Sequence, residues 1–177
     1  QAEHDVNASA VLVTDSTALA AAVAAELEEQ LLTLPRREIA NASIEQNGKI
    51  LLTGSVAEAV EIANRIAPEH LELCVENPFD WLDRIRNAGS IFLGKSCPEA
   101  LGDYFAGPNH TLPTMGTPRF SSPLSVDDFV KKSSFTYYTA QAFGKVAEEV
   151  AYFAEREGLS AHARSARSRL ETGGDGR

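Results

Sequence analysis

Cysteine is nearly missing from this chain of 177 residues: there are two, Cys74 and Cys97, in different segments and without the close spacing of a metal knuckle or redox motif. That excludes a disulfide framework and a thiolate metal cluster. Both cysteines are expected to be buried, reduced thiols of a cytoplasmic protein. Positive charge is short as well, with 16 Lys and Arg against 25 Asp and Glu and a formal net charge of -9. Nucleic acid and anionic membrane surfaces both select for a surplus of cations, so neither is an expected partner. No apolar run approaches the roughly 20 residues of a membrane span. No internal repeat occurs, and no G-x-G-x-x-G dinucleotide fingerprint is present. There is no initiator Met and no signal peptide, and Gln1-Ala2-Glu3-His4 reads like the interior of a helix, so a piece of a longer chain is expected.

What is present is a core-forming composition, 44% apolar, in a pattern of alternating strands and helices. Ala10–Thr14, Lys49–Thr53, Leu71–Val75 and Ser90–Leu93 are short apolar or β-branched runs that read as strands. Between them, Leu19, Val23, Leu27 and Leu31 form one face of a helix that Asp15 or Ser16 can cap, and Arg36–Glu45 can form a second. Ser55-Val56-Ala57-Glu58 is a capping box opening a helix that Pro68 ends, and Pro78–Ile85 predicts a short one. The alternation predicts an α/β fold with a mostly parallel sheet and flanking helices. From Gly107 to Ser125 the pattern breaks into a long loop holding Pro108, Pro113, Gly116, Pro118 and Pro123. Beyond it, Phe135-Thr136-Tyr137-Tyr138-Thr139 carries a strand signal, and Ala140–Glu157 reads as a long helix with Phe143, Val146, Val150 and Phe153 or Ala154 on one face. Gly158 caps it, and a last helix runs over Ser160–Leu170. The expected organisation is an α/β catalytic portion over 1–125, a small strand-helix extension over 126–170 and a disordered tail over 171–177.

Each of the four histidines has other polar, reactive side chains beside it. Gln1 and His4 lie three apart, which on a helix puts both on one face; the imidazole is a common metal ligand and the Gln carbonyl a weak neutral one. By itself that pair reads more simply as an ordinary helix surface. Glu69 and His70 follow the stop at Pro68, where a carboxylate and an imidazole at one corner can share acid-base work, or simply face solvent in a turn. Asp103, in Gly102-Asp103-Tyr104, is a hard oxygen donor, and Asn109 and His110 are polar groups in a stiff Pro-rich loop. Glu157 and His162 flank Gly158 near the end, where a solvated helix terminus is the plain alternative. Together, two His, one Asp and an amide oxygen make a nitrogen- and oxygen-rich set that suits zinc with room for a substrate, although spacing does not show that they meet.

The joint pattern QAEHD, APEHLE, GDYFAGPNHTLPT, RFSSPLSVDDFVKKSS and EGLSAHA, spread in order from Gln1 to Ala163, resembles the histidinol dehydrogenase family. The resemblance implies an incomplete Rossmann-like α/β fold followed by a small helical C-terminal extension for dimerisation. It implies Gln1, His4, Asp103 and His162 as zinc ligands, Glu69 and His70 as the catalytic acid-base pair, and Tyr104, His110 and Glu157 as further substrate contacts, with the zinc ligands and His70 also reaching the substrate. The implied reaction is NAD-dependent oxidation of L-histidinol to L-histidine through an aldehyde, the last step of histidine biosynthesis. It implies a cytoplasmic homodimer in which the C-terminal tail reaches the neighbouring subunit's site. Val6 departs from the family, which usually has a proline there. The family's NAD site lies mainly upstream of the segment matching Gln1.

Two other classes fit the residues without the resemblance: a zinc hydrolase with Glu69 as general base, or a binding module without catalysis. The missing dinucleotide fingerprint yields the first prediction. NAD titrated into the purified 177-residue chain should give no saturable binding, and NAD reduction at the rate of a complete dehydrogenase would overturn this.

Overall fold

The structure is a computed structural model in which residues 1–171 are described. The expected tail over 171–177 lies outside the described residues, except that Glu171 closes the last helix. Two short parallel strand pairs organise the first part of the chain. β1 (Val11–Thr14) lies beside β2 (Lys49–Leu52), with Val11 opposite Lys49. β3 (His70–Leu73) lies beside β4 (Ser90–Leu93), with His70 opposite Ser90. Parallel neighbours cannot be joined by a tight hairpin, so each pair needs a crossover. Helices α1 (Thr17–Leu31) and α2 (Arg37–Asn47) connect β1 to β2, α3 (Val56–Ile66) leads to β3, and the single turn α4 (Phe79–Leu82) lies between β3 and β4. The parallel α/β pattern expected from the sequence is present, as two separate two-stranded sheets rather than one. No helix is long and apolar enough to cross a membrane among the described residues.

Local chemistry accounts for where the helices begin. The Ser16 hydroxyl accepts from the Leu19 N–H at 3.2 Å, and Ser55 accepts from the Glu58 N–H at 3.2 Å. The Glu58 carboxylate accepts from the Gly54 N–H at 2.8 Å instead of reaching back to Ser55, so the expected capping box is displaced by one residue. Of the predicted α1 stripe, Val23, Leu27 and Leu31 are half-buried but Leu19 is exposed, and the fully buried position is Ala20.

Helix α3 buries Val60 and Asn64 on one face, and Asn64 is the most heavily used polar side chain of the interior. Its amide nitrogen donates to the Arg84 carbonyl at 2.8 Å, while its oxygen accepts from the N–H groups of Arg86 at 2.7 Å and Asn87 at 3.2 Å. The Asn87 side chain donates back to the Asn64 carbonyl at 2.9 Å. The irregular segment ahead of β4 is thereby fastened to α3. Arg86 adds an exposed ion pair with Glu61 at 2.7 Å, and that bond holds the Glu61 carboxyl below the usual range.

After β4 comes α5 (Glu99–Tyr104), a helix of six residues that the sequence pattern did not announce. The stretch that follows is irregular, as its prolines and glycines predict, with 3-10 turns at Thr117–Arg119 and Val126–Phe129. The chain divides into two compact units, Gln1–Val130 and Lys131 onward. In the second, the strand expected over Phe135–Thr139 does not form, and every residue from 131 to 140 is exposed. Aromatic and β-branched side chains favour a strand only where a neighbour pairs with it and one face is covered. The expected long helix is two, α6 (Ala140–Gly144) and α7 (Ala147–Arg156), followed by α8 (Ser160–Glu171). The predicted apolar stripe is kept only in part, at Phe143 and Ala154. Val150 is 46% and Phe153 68% exposed, and the contact with α8 is made by Ala151, Ala154, Ala163 and Ala166, with Phe143 against them. Small side chains let two helices approach closely, which selects the alanine face over the bulkier one. Arg167 of α8 pairs with Glu148 at 3.2 Å and Glu155 at 2.5 Å on α7.

Replacing Asn64 by Ala leaves the partly buried N–H groups of Arg86 and Asn87 without that acceptor. Asn64→Ala should lower unfolding stability by about 2–3 kcal/mol, measured by urea denaturation, and a loss under 0.5 kcal/mol would show that water replaces the side chain.

Candidate functional site

The site begins where α3 ends. Ala67, which is 1% exposed, takes a left-handed conformation with φ 54°, while its N–H still bonds the Ala63 carbonyl at 2.9 Å. Pro68 cannot continue the helix, and the chain turns directly into β3. The Gly89 N–H donates to the Pro68 carbonyl at 3.0 Å and the Ser90 N–H to the Glu69 carbonyl at 2.8 Å, so this corner is tied to β4 before the strand starts. Gly89 is required by the closeness of that approach: a Cβ there would stand 2.6 Å from the Glu69 carbonyl oxygen.

Successive side chains of a strand alternate faces, so His70 and Glu72 project to one side of β3 and Leu71 and Leu73 to the other. On the His70 side lies α5. Its Glu99 and Asp103 are four residues apart and therefore share a helix face. The His70 Nε2 is 3.6 Å from Glu99 Oε1 and 3.9 Å from Asp103 Oδ1. That nitrogen is fully buried and makes no hydrogen bond. The imidazole also packs against the Phe92 ring of β4, with centroids 5.9 Å apart and planes tilted by 40°. Glu72 accepts from the Glu99 N–H at 2.8 Å.

Among the described residues, His70, Glu99 and Asp103 form the one cluster whose ligand atoms, all within 4.8 Å of one another, could hold a shared cation. An orphaned buried imidazole nitrogen facing two carboxylates, with no thiolate, is a donor set that fits a zinc-like ion. A cleft of about 130 Å³ opens beside it, and Asp103, Asn109 and His110 contribute its polar wall while Phe92, Leu101 and Leu112 contribute apolar surface. Asn109 is fixed in place by accepting from the Thr111 N–H at 2.7 Å.

The residues singled out from the sequence therefore fall into three places. His70 and Asp103 meet, and Asp103 and His110 line one cleft, with Tyr104 exposed on the same helix. Glu69 directly precedes β3 and is half-buried. Gln1 and His4 stand apart from that cluster. The segment is a turn, with the His4 N–H on the Gln1 carbonyl at 3.1 Å, not the helix its sequence suggested. Gln1 lines a separate hollow with Leu27, Leu31 and Leu34. Glu157, at the C-terminal end of α7, and His162, in the first turn of α8, both belong to the second unit and are exposed. The sequence reading missed Glu99 and Glu72. The available signal was Pro98 followed by two carboxylates four apart, a helix start with one acidic face. The cysteines also differ from expectation. Cys97 is half-buried in the cleft wall, and Cys74 is exposed. Partial desolvation, helped by the Glu72 carboxylate and opposed by Lys95, still holds the Cys74 thiol above its ordinary pKa.

Comparison with known proteins is consistent along the whole chain. The Histidinol dehydrogenase family profile matches residues 1–170. A histidinol dehydrogenase of Geobacter metallireducens is 55% identical over 177 residues, covering 100% of this chain and 41% of that protein. One from Bacillus subtilis is 57% identical over 169 residues, covering 96% of this chain and 40% of its own length. The crystal structure of histidinol dehydrogenase from Elizabethkingia anophelis superposes with a TM-score of 0.87 at 36% identity, over 98% of this chain and 40% of that one. The chain thus spans about two fifths of the length of the relatives it matches.

The crowding at Gly89 gives a direct test of the corner. Gly89→Ala should cost about 1–3 kcal/mol in denaturant unfolding and displace the His70 imidazole signals in an NMR spectrum. Gly54→Ala, where a Cβ would meet only the flexible Glu58 carboxylate at 3.4 Å, should do neither.

Proposed function

Since the chain belongs to the histidinol dehydrogenase family, we propose that it carries the substrate- and metal-binding part of an NAD-dependent oxidation of L-histidinol to L-histidine. The observation that supports this most directly is the meeting of His70 with Asp103 across β3 and α5, beside Glu69 and a cleft walled by His110.

Gln1, His4, Asp103 and His162 are the proposed zinc ligands, a set the resemblance supports and that shares only Asp103 with the cluster of His70, Glu99 and Asp103. Bound zinc would supply Lewis-acid positioning of the substrate's amine and imidazole, and bound NAD would accept hydride. His70 then takes the hydroxyl proton on an imidazole nitrogen as hydride leaves the carbinol carbon. Its packing against Phe92 limits the orientations of the ring during that transfer. In the second oxidation the Glu69 carboxylate removes a proton from the water that adds to the aldehyde, giving the hydrate. Tyr104, His110 and Glu157 contact the substrate around this centre. The proposed assembly is a cytoplasmic homodimer in which Glu157 and His162 serve the neighbouring subunit. That division accommodates their location in a unit distinct from the one holding His70. NAD is bound mainly by residues other than those of this chain.

Calorimetry with L-histidinol tests the reading. The folded chain should bind L-histidinol in the presence of zinc and not after its removal, and Asp103→Ala should weaken binding by at least about tenfold. Binding that ignores zinc, or that Asp103→Ala leaves unchanged, would refute the assignment.

A further inference from the structure

Helix α5 carries Glu99 and Asp103, yet at six residues it has little stability of its own. The N–H groups of a helix's first turn have no partner within it, and Pro98, at the N-cap, provides no side-chain acceptor. Two attachments hold the helix to the sheet. The Glu72 carboxylate accepts from the Glu99 N–H at 2.8 Å. Further along, Gly102 lies so close to the Phe92 ring that a Cβ would come within 2.6 Å of it. Glu72 lies two residues after His70, on the same face of β3, and is in register with Phe92 on β4. One strand face therefore presents both the imidazole of the site and the anchor for the helix that bears its carboxylates. Glu72 is itself exposed, so its contribution to core packing is small.

We propose that Glu72 is a positioning residue for this site: by holding the Glu99 amide it fixes where α5 begins over β3, and so keeps the Glu99 and Asp103 carboxylates opposite His70. Glu72 is not among the proposed zinc ligands or substrate contacts. The inference rests on the reading above only in taking His70 and Asp103 as working groups. A glutamine at this position keeps an acceptor oxygen at the same reach, whereas an alanine removes it.

The test compares Glu72→Ala and Glu72→Gln in the 177-residue chain by three readouts: hydrogen exchange of the Glu99 amide, the His70 imidazole NMR signals (identified by their loss in His70→Gln) and zinc affinity by calorimetry. In Glu72→Ala, Glu99 exchange should accelerate by about tenfold or more, the His70 signals should shift and zinc affinity should fall by about 10–100-fold. The melting temperature should stay near that of the parent. Glu72→Gln should restore all three. A folded Glu72→Ala chain with unchanged Glu99 exchange and His70 signals would overturn the proposal, as would a glutamine variant that behaves like the alanine one. If the parent chain binds no zinc, the function proposed above fails, while exchange and the imidazole signals still decide the role of Glu72.

Discussion

The turn at Ala67 and Pro68 fixes what the rest of the site can be. A residue with a Cβ in the left-handed region carries a penalty of roughly 1–2 kcal/mol that glycine would avoid. Ala67 bears it in a fully buried position, where its methyl is packed. Pro68 then removes any continuation of α3, and the carbonyls of Pro68 and Glu69 are taken at once by β4. The phase of β3 is set from its first residue, and a strand's period of two leaves no freedom thereafter. His70 and Glu72 must face α5, and a slip of one residue would present Leu71 and Leu73 to the carboxylates instead.

How much of this was readable depends on how far each signal reaches along the chain. The corner at Glu69 and His70 was legible because its causes are local: a serine cap, an amphipathic run and a proline stop. α5 was not, because a six-residue helix offers less than two turns of periodicity, and its Gly102 weakens even that. Glu99 was passed over for the same reason that most surface carboxylates are, since nothing in its immediate neighbours reveals that an imidazole faces it from another element. The reading over Phe135–Thr139 failed in the opposite direction. Residue preference was clear there, but the pairing partner that would realise it is not among the described residues. The stripe was right at Phe143 and Ala154 but wrong at Val150 and Phe153, because size competes with hydrophobicity: Ala151 and Ala154 of α7 meet Ala163 and Ala166 of α8 more closely than the larger side chains beside them could.

The resemblance and the geometry carried different parts of the candidate site. The geometry joins His70, Glu99 and Asp103 with no reference to any relative. Gln1, which lines a separate hollow, His4 in the turn beside it, and Glu157 and His162 in another unit are joined to that centre only by the resemblance. Both glycines near the centre, Gly89 and Gly102, are there because something occupies the space of a side chain, a carbonyl in one case and a phenyl ring in the other. The site is thus specified by what is omitted from two positions as much as by the reactive groups themselves.

The alanine seam between α7 and α8 has a thermodynamic corollary. A methyl group hides little apolar area, so separating these helices exposes little surface to water, and the associated heat-capacity change is small. The stability of the hairpin should therefore vary only gently with temperature, without the pronounced maximum of a domain built on large aliphatic side chains. A larger share of its cohesion falls to Arg167 and its two glutamates. The bond from Arg167 holds the Glu155 carboxyl below its ordinary range, so that contribution is complete above the pKa of an unfolded glutamate and disappears as the pH falls through the lower folded value. Because the pairs are exposed, dissolved salt screens them. Ionic strength and acid therefore act on this part of the chain only through the small contribution of these exposed pairs.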